Sequence, residues 1–230
     1  MHRATLHPRL AGLCGLVGAL LFFAGDMLFY GHFGSGADFP AGLIDTVTHA
    51  SDARLYAGGL VGPFAACLCI LGFWQVSRNV FPPKGFAARF LFVLFAILMI
   101  FGGAIHALWT AHGLSLKYCY GSDDAGCRAV LQSVRSYWSL SYYLGAASGV
   151  AASVLLAVLV IFRKTSYPRW TVLFNPALLV SLSTFAPKIP APLGAVIVGG
   201  SANLSIALFF LICLLTTPRA TRPGSSPAPA

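Results

Sequence analysis

The chain has 230 residues, of which 57% are hydrophobic and only 9% are charged, and all six acidic residues are Asp. Because soluble domains carry about 25% charged residues, this composition excludes an ordinary water-soluble enzyme. The formal net charge of +9 does not indicate a nucleic-acid-binding protein, since Lys and Arg lie in short loops between apolar segments and act there as topology signals.

Six apolar segments follow one another, each long enough, or nearly so, for the roughly 20 residues that a bilayer crossing needs. They cover residues 10–32, 55–77, 90–111, 137–162, 170–186 and 189–215, the fifth being the shortest. The first exceeds the roughly 7–15-residue apolar core of a signal peptide, so we expect it to remain as a helix. The sequence therefore predicts an all-α fold, a polytopic six-helix transmembrane bundle formed by one domain over residues 1–216, with a disordered tail over 217–230.

The distribution of basic residues predicts the orientation of this bundle. Ten Lys and Arg residues fall on one side of the predicted spans and five on the other. The excess of positive charge marks the cytoplasmic side, which places both the N and the C terminus in the cytoplasm. Every Asp except Asp26 falls on the opposite, outer side. We therefore expect a multi-pass protein of a bacterial inner (plasma) membrane.

Small residues recur at helical spacing in each of the first four predicted spans. Helices in lipid associate through such residues, because they let two backbones approach closely. These stripes should therefore face the interior of the bundle, and the first is formed by Gly12, Gly15 and Gly18. Pro63 and Pro176 lie inside the second and fifth spans, where each removes a backbone hydrogen bond and can kink its helix.

The outer loop 113–135 contains two cysteines, Cys119 and Cys127, eight positions apart. Disulfides form in oxidising compartments outside the cytoplasm, so this pair is a disulfide candidate. Spacing alone does not establish the geometry that a disulfide requires, and both the bonded and the free state stay open.

Asp26 is the only charged side chain inside any of the six spans. A carboxylate at membrane depth is expensive and is retained mostly where it is paired, hydrated or functional. Asp26 lies six residues from His32, His106 six from His112 and Tyr142 six from Ser136, residues at or next to the outer ends of their spans, which places all three roughly 9 Å deep. The sequence therefore predicts that these three side chains meet in one layer, and they are the candidate catalytic residues.

Further polar and aromatic residues surround this layer and are the candidate ligand-binding residues. Six lie nearer the outer surface and one, in the last span, lies deeper: Tyr30, His32, Arg54, Tyr56, Trp109, His112 and Asn203. Other roles stay open for them. Aromatic residues near the surface are typical of an interfacial belt, Arg54 can extend to the interface or pair with Asp52, and Asp26 or His106 can simply join neighbouring helices.

An Asp beside a His can exchange a proton, so the pair could serve as general acid and base in an outward-facing pocket for a lipid or isoprenoid-like ligand. The same residues could equally form a proton relay in a proton-coupled transporter. A third hypothesis is a structural or accessory membrane subunit without catalysis. The expected partners are membrane lipids and a lipophilic small molecule, the oligomeric state stays open, and no zinc or haem motif predicts a metal or cofactor.

Several short motifs resemble those of a bacterial family of uncharacterised multi-helix membrane proteins. They are GDMLFYG at 25–31, RLYAGG at 54–59, GGAIH at 102–106, PRW at 168–170 with NP at 175–176, and GG at 199–200 with NL at 203–204. The resemblance extends over most of the chain to about residue 215. It implies a membrane-embedded helical fold and carries no known reaction.

Overall fold

The computed structural model describes residues 7–217, and regular secondary structure in that range is helical apart from one bridge between Val80 and Thr165. Five helices are long and apolar enough to cross a membrane, which agrees with the predicted all-α, multi-pass class. The helices are α1 (Pro8–Tyr30), α2 (Phe39–His49), α3 (Asp52–Arg78), α4 (Phe86–Cys119), α5 (Ala125–Ile161), α6 (Pro176–Leu182) and α7 (Gly194–Thr216).

The fifth predicted span, 170–186, is not a continuous helix. It is divided into a 3-10 helix at Arg169–Phe174, the two-turn α6, and a second 3-10 helix at Ser183–Lys188. The physical reason lies at Asn175 and Pro176. Proline has no backbone NH, and the side chain of Asn175 instead accepts a hydrogen bond from the Ala177 NH (3.1 Å) and starts a new helix.

Contacts between the elements define two ends of the molecule. At the Asp26 end, the NH of Gly36 donates to the carbonyl of Ile189 (2.9 Å). At the Gln75 end, the Gln75 amide donates to the hydroxyl of Thr217 (2.6 Å). Gly12 also lies against Gln75, so both ends of the described chain lie at the Gln75 end.

The broken segment between α5 and α7 runs from one end of the molecule to the other. Thr165 pairs with Val80 at the Gln75 end, whereas Ile189 lies at the Asp26 end. In cross-section, α7 packs on α1, α1 on α3, α3 on α4 and α4 on α5, and the broken segment lies between α5 and α7.

Glycines bring α1 and α3 into close contact, as the predicted stripe requires. Gly12, Gly15 and Gly18 are all buried. A methyl group at Gly15 would lie only 2.8 Å from the Cα atom of Gly72 and 2.9 Å from the ring of Phe210. Backbone contact of this kind is the usual way in which helices associate in lipid, where hydrophobic burial alone gives no preference.

The centre of the molecule is apolar and aromatic. Phe73 stacks on Phe95 with ring centroids 4.0 Å apart and lies against Phe210 at 4.7 Å. All three side chains are fully buried. This layer separates the polar groups at the Asp26 end from those at the Gln75 end.

The polar groups at the Gln75 end form a hydrogen-bonded cluster that the sequence did not reveal. The Tyr167 hydroxyl accepts from the amides of Gln75 (3.3 Å) and Asn79 (3.2 Å), and Ser166 donates to Asn79 (2.7 Å). Thr217, assigned by the sequence to a disordered tail, is buried here against Gln75. The rest of that predicted tail, 218–230, lies outside the described residues.

We predict that Gly15→Leu lowers stability, because the added side chain must displace Gly72 and Phe210. Overpacking of this kind costs about 1–3 kcal/mol. Ala24→Leu, at an exposed position of the same helix, is the matched control and should change little. Thermal unfolding of both variants in detergent is the measurement, and equal melting temperatures would contradict the close α1–α3 contact.

Candidate functional site

Asp26 lies at the centre of a cluster that joins three helices. The Tyr30 hydroxyl donates to Oδ1 of Asp26 (2.7 Å), and the Asn203 amide on α7 donates to Oδ2 (2.6 Å). Nε2 of His106, on α4, lies 3.5 Å from Oδ1. The carboxylate and the imidazole are both buried, with 7% exposure each. We call Asp26, Tyr30, His106 and Asn203 the carboxylate cluster.

Local sequence explains why these groups can meet. Asp26 and Tyr30 are four residues apart, so they lie on the same face of α1, one turn from each other. Gly25 and Gly62 leave the space that His106 fills. A methyl group at Gly25 would lie 3.0 Å from its Nδ1 atom, and one at Gly62 would overlap its side chain.

Aromatic rings form the walls around His106 and Tyr30. The ring of Phe22 lies 4.8 Å from the His106 ring, and that of Phe29 lies at 5.8 Å. The Trp109 indole packs on both Phe29 (5.1 Å) and Tyr30 (5.2 Å). The cluster is therefore enclosed in a low-dielectric environment, where its electrostatic interactions are stronger than in water.

The short helix α2 covers the cluster at the Asp26 end of the molecule, and we call it the cover helix. Phe39, its first residue, meets the Tyr30 ring edge-on at 5.7 Å. His32, in the loop before it, donates from Nδ1 to the Tyr30 carbonyl (3.0 Å) and stacks on Phe39 at 5.9 Å. Its Nε2 atom is buried without a hydrogen-bond partner in the described structure.

The two most prominent cavities in the described part of the chain lie away from the carboxylate cluster. Two cavities stand out within residues 7–217, and neither is lined by Asp26. One is a groove of about 800 Å³ beside Arg9 and Thr217 at the Gln75 end. The other, of about 10 Å³, lies beside Asn175 and has room for about one water molecule. The outward-facing pocket expected from the sequence stays a prediction.

Residues 4–220 match the family of unknown function DUF6796. The chain belongs to that family. No curated protein and no solved structure matches the chain. The family match covers almost the whole sequence, but the family has no assigned activity. The chemistry of this DUF6796 protein must therefore be inferred from its own residues.

Tyr142, predicted as the third catalytic residue, does not contact Asp26. It is 45% exposed and stacks on Trp138 of its own helix at 5.7 Å. Depth was a poor guide here, because α5 turns Ser141 and Gly145 inward, and Tyr142 lies about 100° around the helix from Ser141.

Arg54 and Tyr56, predicted as ligand-binding residues, are also outside the cluster. Arg54 donates from Nε to the Leu28 carbonyl (2.7 Å) and from one Nη atom to the Met27 (3.0 Å) and Gly31 carbonyls. It therefore donates to carbonyls at the end of α1, where a cation is electrostatically favoured. Tyr56 is 49% exposed on the outside of α3.

Asp52, one of the partners considered for Arg54, is bound elsewhere. It accepts from Lys117 (2.5 Å) and from the Tyr118 hydroxyl (2.8 Å), both near the end of α4. Cys119 and Cys127 follow in the same region and are joined by a disulfide, with their Cα atoms 5.3 Å apart. Within residues 7–217, no group of three or more His, Cys or Asp side chains is arranged to hold a metal ion.

The remaining predicted binding residues of the DUF6796 protein lie along a row of rings leading away from the cluster. The Trp109 ring meets His112 edge-on at 5.2 Å, and His112 stacks on Trp138 of α5 at 6.1 Å. Nδ1 of His112 and Nε1 of Trp138 are buried without a hydrogen-bond partner in the described part of the chain. Trp138, Phe22 and Phe39 were not among the residues predicted from the sequence, although their rings border the site.

We predict that Asn203→Leu lowers the free energy of unfolding by about 1–3 kcal/mol, because Oδ2 of Asp26 then loses its buried donor. Ser201→Ala is the control, since that hydroxyl donates to the Val198 carbonyl of its own helix (3.2 Å) and has no other hydrogen bond within residues 7–217. Thermal unfolding in detergent checks this. If Asn203→Leu costs no more than Ser201→Ala, the contact to Asp26 does not support the fold.

Proposed function

We propose that this protein takes up a lipophilic, lipid- or isoprenoid-like ligand from the bilayer and moves a proton to or from it through Asp26 and His106. The observation that carries the proposal is the 3.5 Å separation of the carboxylate and the imidazole inside an aromatic enclosure. Proton transfer needs a heavy-atom distance of about 2.6–3.2 Å or one bridging water, so a small approach of the two groups would let a proton pass between them. Positioned acid–base groups of this kind are effective when solvent is excluded.

The arrangement of apolar layers favours this proposal over a proton-coupled transporter. Along α1, Phe22 lies beside His106, Gly18 beside Cys69, and Gly15 beside Phe210. Asp26 and Gly12 are fourteen residues apart, so about 21 Å of mainly apolar contacts separates the carboxylate cluster from the Gln75 end.

The two further polar groups that a transport route would need serve other purposes. The amide of Asn175 donates to the Ser153 carbonyl (2.8 Å) and does not reach Asn203. The Ser205 hydroxyl donates to Ser201 of its own helix (2.7 Å). A proton arriving at Asp26 thus has no continuing hydrogen-bonded path towards the Gln75 end among the described residues. Proton exchange from a single end of the molecule is what a binding protein or an enzyme requires.

The proposed entry route is lateral, between α5 and α7 near the Asp26 end. None of residues 177–185, the part of the broken segment that lies there, is buried. Asn203 is itself partly exposed, although Asp26, its partner, is buried. A ligand approaching from lipid would therefore meet Asn203 first, and displacing its amide would free one oxygen of Asp26.

We further propose that the Asp26 end faces outward in a bacterial inner membrane, with both termini in the cytoplasm. The excess of Lys and Arg at the Gln75 end supports this orientation. The broken segment would then act as a sixth crossing, since it runs between the two ends and returns the chain to the cytoplasmic side through α7. Its irregular backbone is covered on one side by α5 and α7.

A structural or accessory role is the second candidate, and one observation favours it. Both oxygens of Asp26 already accept hydrogen bonds from Tyr30 and Asn203 of the same chain. A carboxylate satisfied in this way can join α1 to α7 without any ligand.

The ligand proposal predicts that wild-type protein, purified in mild detergent, retains a lipophilic species. Asp26→Asn should retain about tenfold less of it, or less still, because a hydrogen bond to a charged group contributes about 1.5–3 kcal/mol. Native mass spectrometry with lipid analysis is the measurement. Asp45→Asn is the control, because it removes the same charge from an exposed position on the cover helix.

Two outcomes would count against the ligand proposal. Equal retention by wild type and Asp26→Asn would exclude Asp26 from ligand binding. No retained species in either protein, together with a strongly destabilised Asp26→Asn, would instead support the structural role.

The orientation is tested by placing cysteines at two exposed positions, Ala37 and Lys84, near opposite ends of the molecule. A membrane-impermeant maleimide should label Ala37→Cys in intact spheroplasts and Lys84→Cys only after lysis, because charged reagents do not cross the bilayer. The parent protein, with its own cysteines, gives the background. The reverse labelling pattern would place the termini outside.

A further inference from the structure

The unpartnered ring nitrogens between α4 and α5 require an explanation. Nδ1 of His112 and Nε1 of Trp138 are both buried, and neither has a hydrogen-bond partner among the described residues. A buried polar group without a partner costs about 1–3 kcal/mol, so such groups in native structures point to an absent water, ion or ligand. The two rings stack nearly parallel, with an interplanar angle of 12°, and so do not bond each other.

The chemistry of these atoms restricts what can bind there. An indole nitrogen can only donate a hydrogen bond, so the partner of Trp138 must be an acceptor. Arg135 precedes Trp138 by three residues, which places both on one face of α5. Trp138 stacks on His112 with ring centroids 6.1 Å apart, so the face of α5 that carries Arg135 is the one turned towards His112.

Arg135 has no ion-pair or side-chain hydrogen-bond partner within residues 7–217. The comparable Arg128, seven residues earlier on α5, donates to the carbonyls of Ser122 (3.3 Å) and Asp123 (2.6 Å). Arg135 therefore adds uncommitted donors and a positive charge beside the two unpartnered rings. Arginine binds phosphate oxygens with particularly favourable geometry.

We propose that Arg135, Trp138 and His112 bind the phosphate group of a membrane lipid in the leaflet next to the Asp26 end. These residues lie where α5 enters the predicted span 137–162, which is the depth of lipid headgroups. Trp109 alone separates this site from the carboxylate cluster, since its ring lies 5.2 Å from both His112 and Tyr30. The inference deepens the proposed function by naming the ligand class as a phosphate-bearing lipid.

Tyr142 also borders this proposed phosphate site. It stacks on Trp138 on the same face of α5 as Arg135 and is open to lipid. The carbon chain of a lipid whose phosphate sits at Arg135 would run down past Tyr142. In this arrangement Tyr142 contacts the ligand and does not act on the proton of Asp26.

The test uses the full chain in nanodiscs with two photoreactive probes of identical acyl chains, phosphatidylglycerol and diacylglycerol, and maps the labelled peptides of α4 and α5. We expect phosphatidylglycerol to label wild type preferentially. Arg135→Gln and Trp138→Phe should each lower this labelling about tenfold, since each removes a charge-assisted hydrogen bond. Arg128→Gln is the matched control and should label like wild type.

Trp138→Phe keeps an aromatic ring for stacking and Arg135 is exposed, so neither change should unfold the protein, and melting temperatures verify this. Equal labelling by the two probes, or full labelling of Arg135→Gln, would overturn the proposal. Retention of radiolabelled inorganic phosphate by wild type but not by Arg135→Gln, without preference for phosphatidylglycerol, would assign the site to free phosphate and overturn the lipid assignment.

The outcome is separable from that of the acid–base proposal. Asp26→Asn leaves Arg135, Trp138 and His112 unchanged, so it should still label with phosphatidylglycerol if the headgroup site alone is correct. Loss of labelling in Arg135→Gln together with no effect of Asp26→Asn in the retention experiment would support the phosphate site and reject the role of Asp26.

Discussion

The cost of placing a carboxylate inside an apolar bundle is the constraint on which the rest of this structure depends. Asp26 needs hydrogen-bond donors, and lipid supplies none. Tyr30 and Asn203 provide them, which joins α1 to α7, and His106 brings α4 to the same point. The close approach of these helices in turn requires glycine at the positions facing His106. One buried acidic side chain thus contacts groups from three helices.

The molecule concentrates its polar side chains at two ends and leaves a stacked phenylalanine layer between them. At the Gln75 end, Tyr167, Asn79 and Gln75 bond to one another and draw the chain after α5 onto α3. At the Asp26 end, the hydrogen bonds converge on one ionisable group. The cluster of Gln75, Asn79 and Tyr167 contains no acid–base pair and serves to hold the chain segments together. The cluster at the Asp26 end contains both an acid and a base, and it is the one next to unpartnered ring nitrogens.

Counting residues along helices predicted the meeting of Asp26 and His106, because both lie on faces that glycines turn inward. It also placed Asn203 too deep, since α7 begins at Gly194 and not at 189. Depth says nothing about rotation, which is why Tyr142 lies at the predicted depth and yet stacks on Trp138 at an exposed position. The fifth span is divided because Asn175 and Pro176 start a new helix in the middle of an apolar segment. The hydrogen-bonded cluster at the Gln75 end forms between residues far apart in the sequence. Neither is readable from hydropathy.

The position of Arg54 has a consequence for how the cover helix can move. Its guanidinium holds the Gly31 carbonyl, and its own backbone NH is capped by Ser51, so the two ends of the connection carrying α2 are fixed to one residue. We therefore expect any opening of the cover helix to be a rotation about the line that joins residues 31 and 51. The loop between α1 and α2 is also joined to the segment before and at the start of α7 by two main-chain hydrogen bonds. The Gly36 NH donates to the Ile189 carbonyl, and the Ala195 NH donates to the Gly34 carbonyl. At about 1 kcal/mol each, these two hydrogen bonds would oppose such a rotation only weakly.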